Sequence, residues 1–275
     1  MNLKSYAKIN FDLQIVGKKD NMHLLSSFAF PISLYDDIIL ETNNSGKTKI
    51  ECDNLEIPLN QDNTCYKVIE LLRKEKGFKE GVRVKIIKRI PTMAGLGGGS
   101  SNAAAVLKGL NELLNLKLNP KELMGIAYQV GSDVPFFVRN KPAIILETGS
   151  KTKAVKADLN FHILLIKPRG GVSTKEAYNL FDKTQEISVQ KEIDYSDFKT
   201  AFEQSKNDLE EPAKSLCPDI RNVIKDLQDL GLTMVRMSGS GSCVYALSKD
   251  RQKLMVIKEE LKTKYPFVMV VHPLI

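Results

Sequence analysis

The chain has 275 residues, 43% hydrophobic and 27% charged, a composition that excludes disordered, collagen-like and disulfide-scaffold proteins and leaves an ordinary globular one. A length above roughly 250 residues favours two lobes over a single core. The net charge of +7 is scattered among acids, as in Arg73-Lys74-Glu75-Lys76, so it fits a solvated face or an electropositive cleft for a polyphosphate better than a nucleic-acid track.

The first segment, Tyr6 to Val16, alternates apolar Ala7, Ile9, Phe11, Leu13 and Ile15 with polar residues, the period of a half-buried strand that carries Lys8 and Asn10 on its other face. Strands are expected next at Asp37 to Glu41, Thr48 to Cys52 and Val82 to Lys88, with a helix over Asn63 to Glu75. A long amphipathic helix beginning near Ser100 follows, its stripe formed by Ala103, Val106, Leu107, Leu110, Leu113 and Leu114. Asn119 caps a further helix with Pro120 at its first position, and Gly131 ends it. A strand over Ala143 to Leu146 and an apolar run over Phe161 to Ile166 flank a low-apolar stretch, Glu147 to Asp158, which is the expected domain boundary. The remainder mixes helices (Thr174 to Phe181, Ile220 to Leu230) with strands (Met234 to Met237, Cys243 to Leu247, Val268 to Val271), an α+β pattern.

Cys52, Cys65, Cys217 and Cys243 show no CxxC spacing and His23, His162 and His272 no HxxxH pair, so free thiols in a reducing cytoplasm are expected and a structural zinc site is not. No apolar run approaches the ~20 residues of a membrane span, and the alternating first segment is unlike a signal h-region.

Chemistry concentrates in Pro91 to Ala105, PTMAGLGGGSSNAAA. Gly95, Gly97, Gly98 and Gly99 stand between a strand and a helix, where glycine lets several backbone N–H groups converge on one anion and the helix N-terminus adds partial positive charge. Ser100, Ser101 and Asn102 can cap that helix or offer polar groups to phosphate and magnesium. The loop lacks the Lys-Ser/Thr of a Walker A sequence, and Ser100 stands where a dinucleotide fingerprint needs its third glycine. Taken singly, Lys8 reads as a solvent-facing strand lysine and Asp133 as a turn residue before Pro135.

Three motifs in chain order, Ala7-Lys8-Ile9-Asn10, Pro91 to Ala105 and Met237 to Ser242, make the sequence resemble the GHMP kinases. Gly131 to Phe137 (GSDVPFF), Gly171 to Thr174 (GVST) and Asn207 to Glu210 (NDLE) extend the resemblance to the branch whose acceptor is a cytidine-diphosphate-linked methylerythritol. The resemblance implies an α+β fold with a ribosomal-S5-domain-2-like domain over 1–155, a ferredoxin-like domain over 156–275, and an active site between them. It implies ATP-dependent phosphorylation of the acceptor 2-hydroxyl in the non-mevalonate isoprenoid route; Mg2+ is expected from the nucleotide chemistry and a cytoplasmic location from the free thiols and lack of targeting, while the sequence leaves monomer or homodimer open. Asp133 becomes the general base with Lys8 beside it. Asn63, Pro91, Met93, Ala94, Gly95, Leu96, Gly97, Gly98, Gly99, Ser100 and Ser101 become the ATP site, and Asn10, Met22, His23, Tyr178, Gly239, Ser240 and Gly241 the acceptor site. No carboxylate is singled out as a magnesium ligand.

The chain departs from the family in one place: Asn21-Met22 stands where a glycine and a base-stacking tyrosine precede His23. Met22 can still pack on a base through its thioether, but losing one aromatic wall removes roughly 1–3 kcal/mol of stacking. Homoserine, mevalonate or a sugar is thus kept as an alternative acceptor. A non-catalytic ligand sensor or RNA-binding relative is the reading from another class, and retention of both Lys8 and Asp133 speaks against it.

Overall fold

The computed structural model describes residues 1–187 and 189–275. In chain order the elements are β1 (Asn2–Asn10), β2 (Gln14–Lys19), β3 (Met22–Asn43), β4 (Thr48–Cys52), α1 (Thr64–Lys76), β5 (Gly81–Ile87), α2 (Gly98–Leu113), α3 (Pro120–Val130), α4 (Val134–Arg139), β6 (Ala143–Glu147) and β7 (Lys151–Ala154). The second half adds β8 (His162–Lys167), α5 (Thr174–Thr184), α6 (Phe198–Gln204), α7 (Glu210–Leu216), α8 (Asp219–Asp229), β9 (Val235–Met237), β10 (Val244–Ser248), α9 (Arg251–Leu261) and β11 (Phe267–Val271).

The first seven strands form one sheet organised on β3, a 22-residue strand that pairs with β1, β2, β5 and β6. Sequence periodicity recovers only its Asp37 to Glu41 portion, because Pro31 lies mid-strand and cannot donate to a ladder. The register of β1 on β3 slips between Tyr6 and Lys8, opposite Tyr35 and Pro31, and the strand continues past the proline. The single strand expected over Tyr6 to Val16 is two. Phe11 and Asp12 both direct their amides at the Phe28 carbonyl, and Leu13 leaves the sheet, its N–H donating to Lys206 O at 2.8 Å. Between β2 and β3, Asp20 and Asn21 take φ of 48° and 61°, the paired positive values of a two-residue hairpin, which short polar side chains tolerate.

Helices α1 to α4 cover one face of this sheet, burying Val68, Leu72, Leu107, Leu110 and Phe136 among others. Helix α3 has the capping box that Asn119 and Glu122 complete. Helix α2 starts at Gly98, two residues before the sequence-based position, with Gly97 as its cap. The stretch 147–158 contains β7, an edge strand paired with β6 whose exposed Lys151 and Lys153 explain its low apolar content. The passage from first to second sheet falls within 155–161.

In the second half β8, β9, β10 and β11 form an antiparallel sheet of order β11-β8-β10-β9, the strand order of a βαββαβ ferredoxin-like domain. Helices α5, α7, α8 and α9 pack on one face around Ile166, Val223, Leu227 and Leu254. The other face joins the first domain through a shared apolar cluster that includes Phe11, Phe28, Phe30, Phe161, Phe198 and Tyr245. The two domains are therefore cemented, not merely tethered, and the cleft between them is fixed by core packing.

Candidate active site

A cavity of about 490 Å³ opens where the two domains meet. One wall is the glycine loop. After β5 the chain runs through Pro91 to Leu96, with Met93, Gly95 and Gly97 at φ of 48°, 70° and 70°, and enters α2. Gly97 caps the helix in left-handed conformation with no side-chain hydrogen bond and no acid in the first turn. Ser101 N reaches Gly97 O at 2.9 Å, so the N–H groups of Gly98, Gly99 and Ser100 face the cavity end without an intrahelical acceptor, the arrangement that binds anions.

The loop is held from the second domain. Ser242 and Cys243 amides donate to Met93 and Ala94 carbonyls at 3.1 and 3.2 Å, and Ser238 Oγ donates to Gly95 O at 3.2 Å. A Cβ on Gly95 would stand 2.0 Å from Ser238 O, so glycine is required there for close approach as well as for φ. The late Ser238-Gly239-Ser240-Gly241 loop is in turn clasped by buried Asn207, whose Nδ2 donates to Met237 O at 2.9 Å and to Gly239 O at 2.8 Å. The Asn-Asp-Leu-Glu segment therefore acts as a staple for this loop.

Beside the loop lies the buried cation Lys8, 4% exposed, which rules out the solvent-facing alternative. Its backbone N–H donates to Leu96 O at 3.0 Å. Its ammonium donates to Asn10 Oδ1 and lies 3.7 Å from Asp133 Oδ2. Asn10 is fixed in turn by Ser27, which accepts from its Nδ2 at 2.7 Å. Asp133 occupies the cap position of α4 but makes no capping hydrogen bond, and its side chain is 40% exposed. A carboxylate kept free of the backbone, open to the cavity and beside an ammonium is set to receive a proton from a bound hydroxyl.

Lys88, at the end of β5, is a second buried cation on this wall. Its Nζ is 2.6 Å from Asp36 Oδ2, Asp36 being fully buried and also accepting from the amides of Arg89 and Ile90 and from Asn102 Nδ2. A Cβ on Gly98 would come within 3.1 Å of that ammonium. Also in the lining, Thr174 Oγ1 and Ser240 Oγ are 2.8 Å apart, and Tyr178 contributes a wall. Burial, then the negative charge of Asp133, pushes the Tyr178 phenol up, so this hydroxyl stays protonated. His23 stacks on Tyr178 at 4.6 Å between ring centroids and 26° between planes.

Two family models match: the GHMP kinases N terminal domain over residues 63–141 and the GHMP kinases C terminal domain over residues 188–266. Proteins named 4-diphosphocytidyl-2-C-methyl-D-erythritol kinase from Clostridium beijerinckii and Thermoanaerobacter pseudethanolicus are 34% and 36% identical, each alignment covering 98% of this chain and 99% and 94% of theirs. The chain belongs to the GHMP kinases. A crystal structure of 4-(cytidine 5'-diphospho)-2C-methyl-D-erythritol kinase matches this GHMP kinase with a TM-score of 0.81 at 27% identity over 99% of both chains. Homoserine kinase from Cytophaga hutchinsonii shares the fold, with a TM-score of 0.71 at 18% identity, covering 99% of this chain and 94% of its own.

Of the residues singled out from the sequence of this GHMP kinase, Lys8, Asn10, Asp133, Tyr178, Gly239, Ser240, Gly241, Pro91, Met93, Ala94, Leu96, Ser100 and the four loop glycines line the one cavity. Four lie off it. Ser101 is buried, its Oγ donating to Tyr6 O at 2.6 Å, which ties α2 to β1. Asn63 caps α1, accepting from Cys65 N at 2.8 Å, while its amide donates to Pro58 O at 2.7 Å. Met22 is half exposed at the start of β3, and His23, stacked on the lining residue Tyr178, is itself outside the lining. Residues that line the cavity without being singled out in the sequence include Lys88, Thr174, Ser27, Glu56 and Thr64. Thr174 carries a signal, within the GVST segment, as do Thr92 and Ser132 within the glycine-loop and GSDVPFF motifs; Lys88, Ser27 and Glu56 arrive through long-range pairing that no local pattern records.

All four cysteines are free, and burial pushes Cys65 and Cys243 up to about 12, consistent with inert packing roles. Among the described residues no group of three His, Cys, Asp or Glu side chains could hold a metal ion, and no helix is long and apolar enough to cross a membrane.

Proposed function

We propose that this kinase transfers the γ-phosphoryl group of ATP to the 2-hydroxyl of 4-diphosphocytidyl-2-C-methyl-D-erythritol. The observation that carries the chemistry is the juxtaposition of Lys8 and Asp133, 3.7 Å apart, beside a helix N-terminus that no side chain caps. The relatives' names carry the acceptor.

In this reading the triphosphate lies along Gly95 to Ser100 with the free amides of α2 directed at its oxygens, and Lys88 stands behind the loop as a fixed positive charge. The acceptor hydroxyl sits between Asp133 and the γ-phosphorus. Its oxygen forms the new P–O bond, the bond from the γ-phosphorus to the β,γ-bridging oxygen breaks, ADP leaves, and the proton passes to the Asp133 carboxylate. Lys8, held by Asn10 and 3.7 Å from Asp133, offsets charge on the moving phosphoryl oxygens. The carboxylates lining the cavity, Asp133 and Glu56, together with the nucleotide's phosphate oxygens, would hold a Mg2+ ion, which would supply charge neutralisation of the phosphates. The cytidyl end of the acceptor extends toward Tyr178 and His23, with no stacking wall from Met22.

Asp133→Asn tests the base. It should lower kcat by roughly 100- to 10,000-fold, the usual scale of general-base catalysis, while ATP-analogue binding by titration calorimetry is retained. A kcat within a few-fold of wild type would remove Asp133 from this role.

A further inference from the structure

His23 does not stand alone. It lies opposite Lys18 in the β2–β3 ladder, and both side chains reach one carboxylate on another domain. Asp182 Oδ1 is 2.7 Å from His23 Nε2, and Asp182 Oδ2 is 2.6 Å from Lys18 Nζ. Asp182 follows Tyr178 by four residues on α5, so the helix presents the carboxylate and the stacking ring on one face. Phe181 meets the imidazole edge-on at 6.2 Å. The His23 side chain is 12% exposed, and its other nitrogen, Nδ1, makes no hydrogen bond among the described residues.

A neutral imidazole has one donor and one acceptor nitrogen, and a carboxylate accepts only. Nε2 must then carry the proton, and Nδ1 is left as a lone-pair acceptor. We infer that Asp182 is a positioning residue that fixes the tautomer of His23, making Nδ1 an acceptor that selects the exocyclic amino group of cytosine over the carbonyl of uracil. This rests on the reading that places the acceptor's base at Tyr178 and His23. Uracil presents a carbonyl oxygen where cytosine presents an amine, so two acceptors would face each other.

The isosteric change Asp182→Asn makes a directional test. The Lys18 ammonium only donates, so it takes the amide oxygen and turns the amide nitrogen toward His23. Nε2 becomes the acceptor, and the proton moves to Nδ1. Steady-state kinetics with the cytidyl acceptor and its uridyl counterpart, together with long-range 1H–15N spectra of the three histidines, read both consequences. The wild type should show an Nε2–H tautomer for His23 and a preference for the cytidyl acceptor. Asp182→Asn should show Nδ1–H and shift that preference by at least about 10-fold, on the scale of one hydrogen bond gained or left unpaired. The change should fall in the acceptor KM, with kcat and the KM for ATP within about twofold. Asp182→Ala should give mixed tautomers and a weakened preference. An unaltered tautomer or unaltered preference in Asp182→Asn, or equal losses in kcat and the KM for ATP, would overturn the inference. His23→Ala separates the two levels. If it abolishes base preference while Asp182→Asn keeps it, only the positioning role is lost. If it leaves the preference intact, the base does not meet His23, and the placement of the acceptor falls together with the role of Asp182.

Discussion

Lysine is almost never buried without a partner, and Lys8 is buried on the one stretch of β1 where an amide oxygen and a carboxylate meet its ammonium. The pairing with Asp133 is long, at 3.7 Å, and half open, so the charge is available to a ligand as well as to its neighbours. Gly95 shows the same local logic in the backbone. Its φ of +70° and the 2.0 Å separation of a hypothetical Cβ from Ser238 O leave no room for alanine. The left-handed conformation alone costs a non-glycine residue roughly 1–2 kcal/mol. Gly95→Ala should therefore melt at least about 2–4 °C lower and bind an ATP analogue more weakly. An unchanged melting curve and unchanged affinity would show that the SGSG loop yields freely.

At the scale of elements, the phosphate wall is an assembly of three segments distant in sequence: the β5–α2 loop, the SGSG loop and the Asn207 staple. Asn207→Ala should leave the Met237 and Gly239 carbonyls short of partners, at about 1–3 kcal/mol for each buried group. The expected result is a lower urea midpoint and a higher KM for ATP. Loss of stability with an unchanged KM would mean that the staple serves the fold alone. Glycine spacing, the Asn119-Pro120 start and the period of α2 from Ala103 through Leu110 were all legible because each is a local pattern with a local cause; Leu113, expected on the same stripe, is exposed in the last turn. The first half of β3 was not legible, because Pro31 argues locally against a strand and only the register slip at β1 accommodates it. The Lys88–Asp36 pair was equally hidden. Its partners are 52 residues apart, and neither sits in a motif. The motifs make Ser101 and Asn63 ligand contacts; what they do not reveal is that the side-chain polar atoms of both also satisfy neighbouring backbone and join elements.

At the scale of the molecule, the aromatic cluster between the domains holds the cleft, and Asp12 is embedded beside it. Burial raises its carboxyl above the ordinary 3.8, against hydrogen bonds from Gln14, Lys206 N and Tyr195. The native state then holds this proton more tightly than the unfolded chain. Stability from this group is fully present below about pH 3.8 and declines as pH rises through the native-state value. Asp12→Asn removes that dependence. Relative to the variant, the wild type should lose urea resistance as pH is raised from about 4, and parallel curves would contradict the assigned shift. The two-domain architecture was legible from length, the α+β pattern and the three ordered motifs. The cementing cluster was not, since Phe11, Phe161 and Tyr245 look like ordinary strand residues until the domains meet. The acceptor is the property of the whole cleft that sequence motifs leave least constrained, since Met22 stands where the family has a stacking tyrosine and does not line the cavity. The decisive measurement is ATP-dependent phosphorylation followed by 31P NMR with 4-diphosphocytidyl-2-C-methylerythritol, mevalonate and homoserine offered separately. One phosphomonoester per ADP on the cytidyl acceptor, with kcat/KM far above the other two, is the expected result; equal or greater turnover of mevalonate or homoserine would contradict the account.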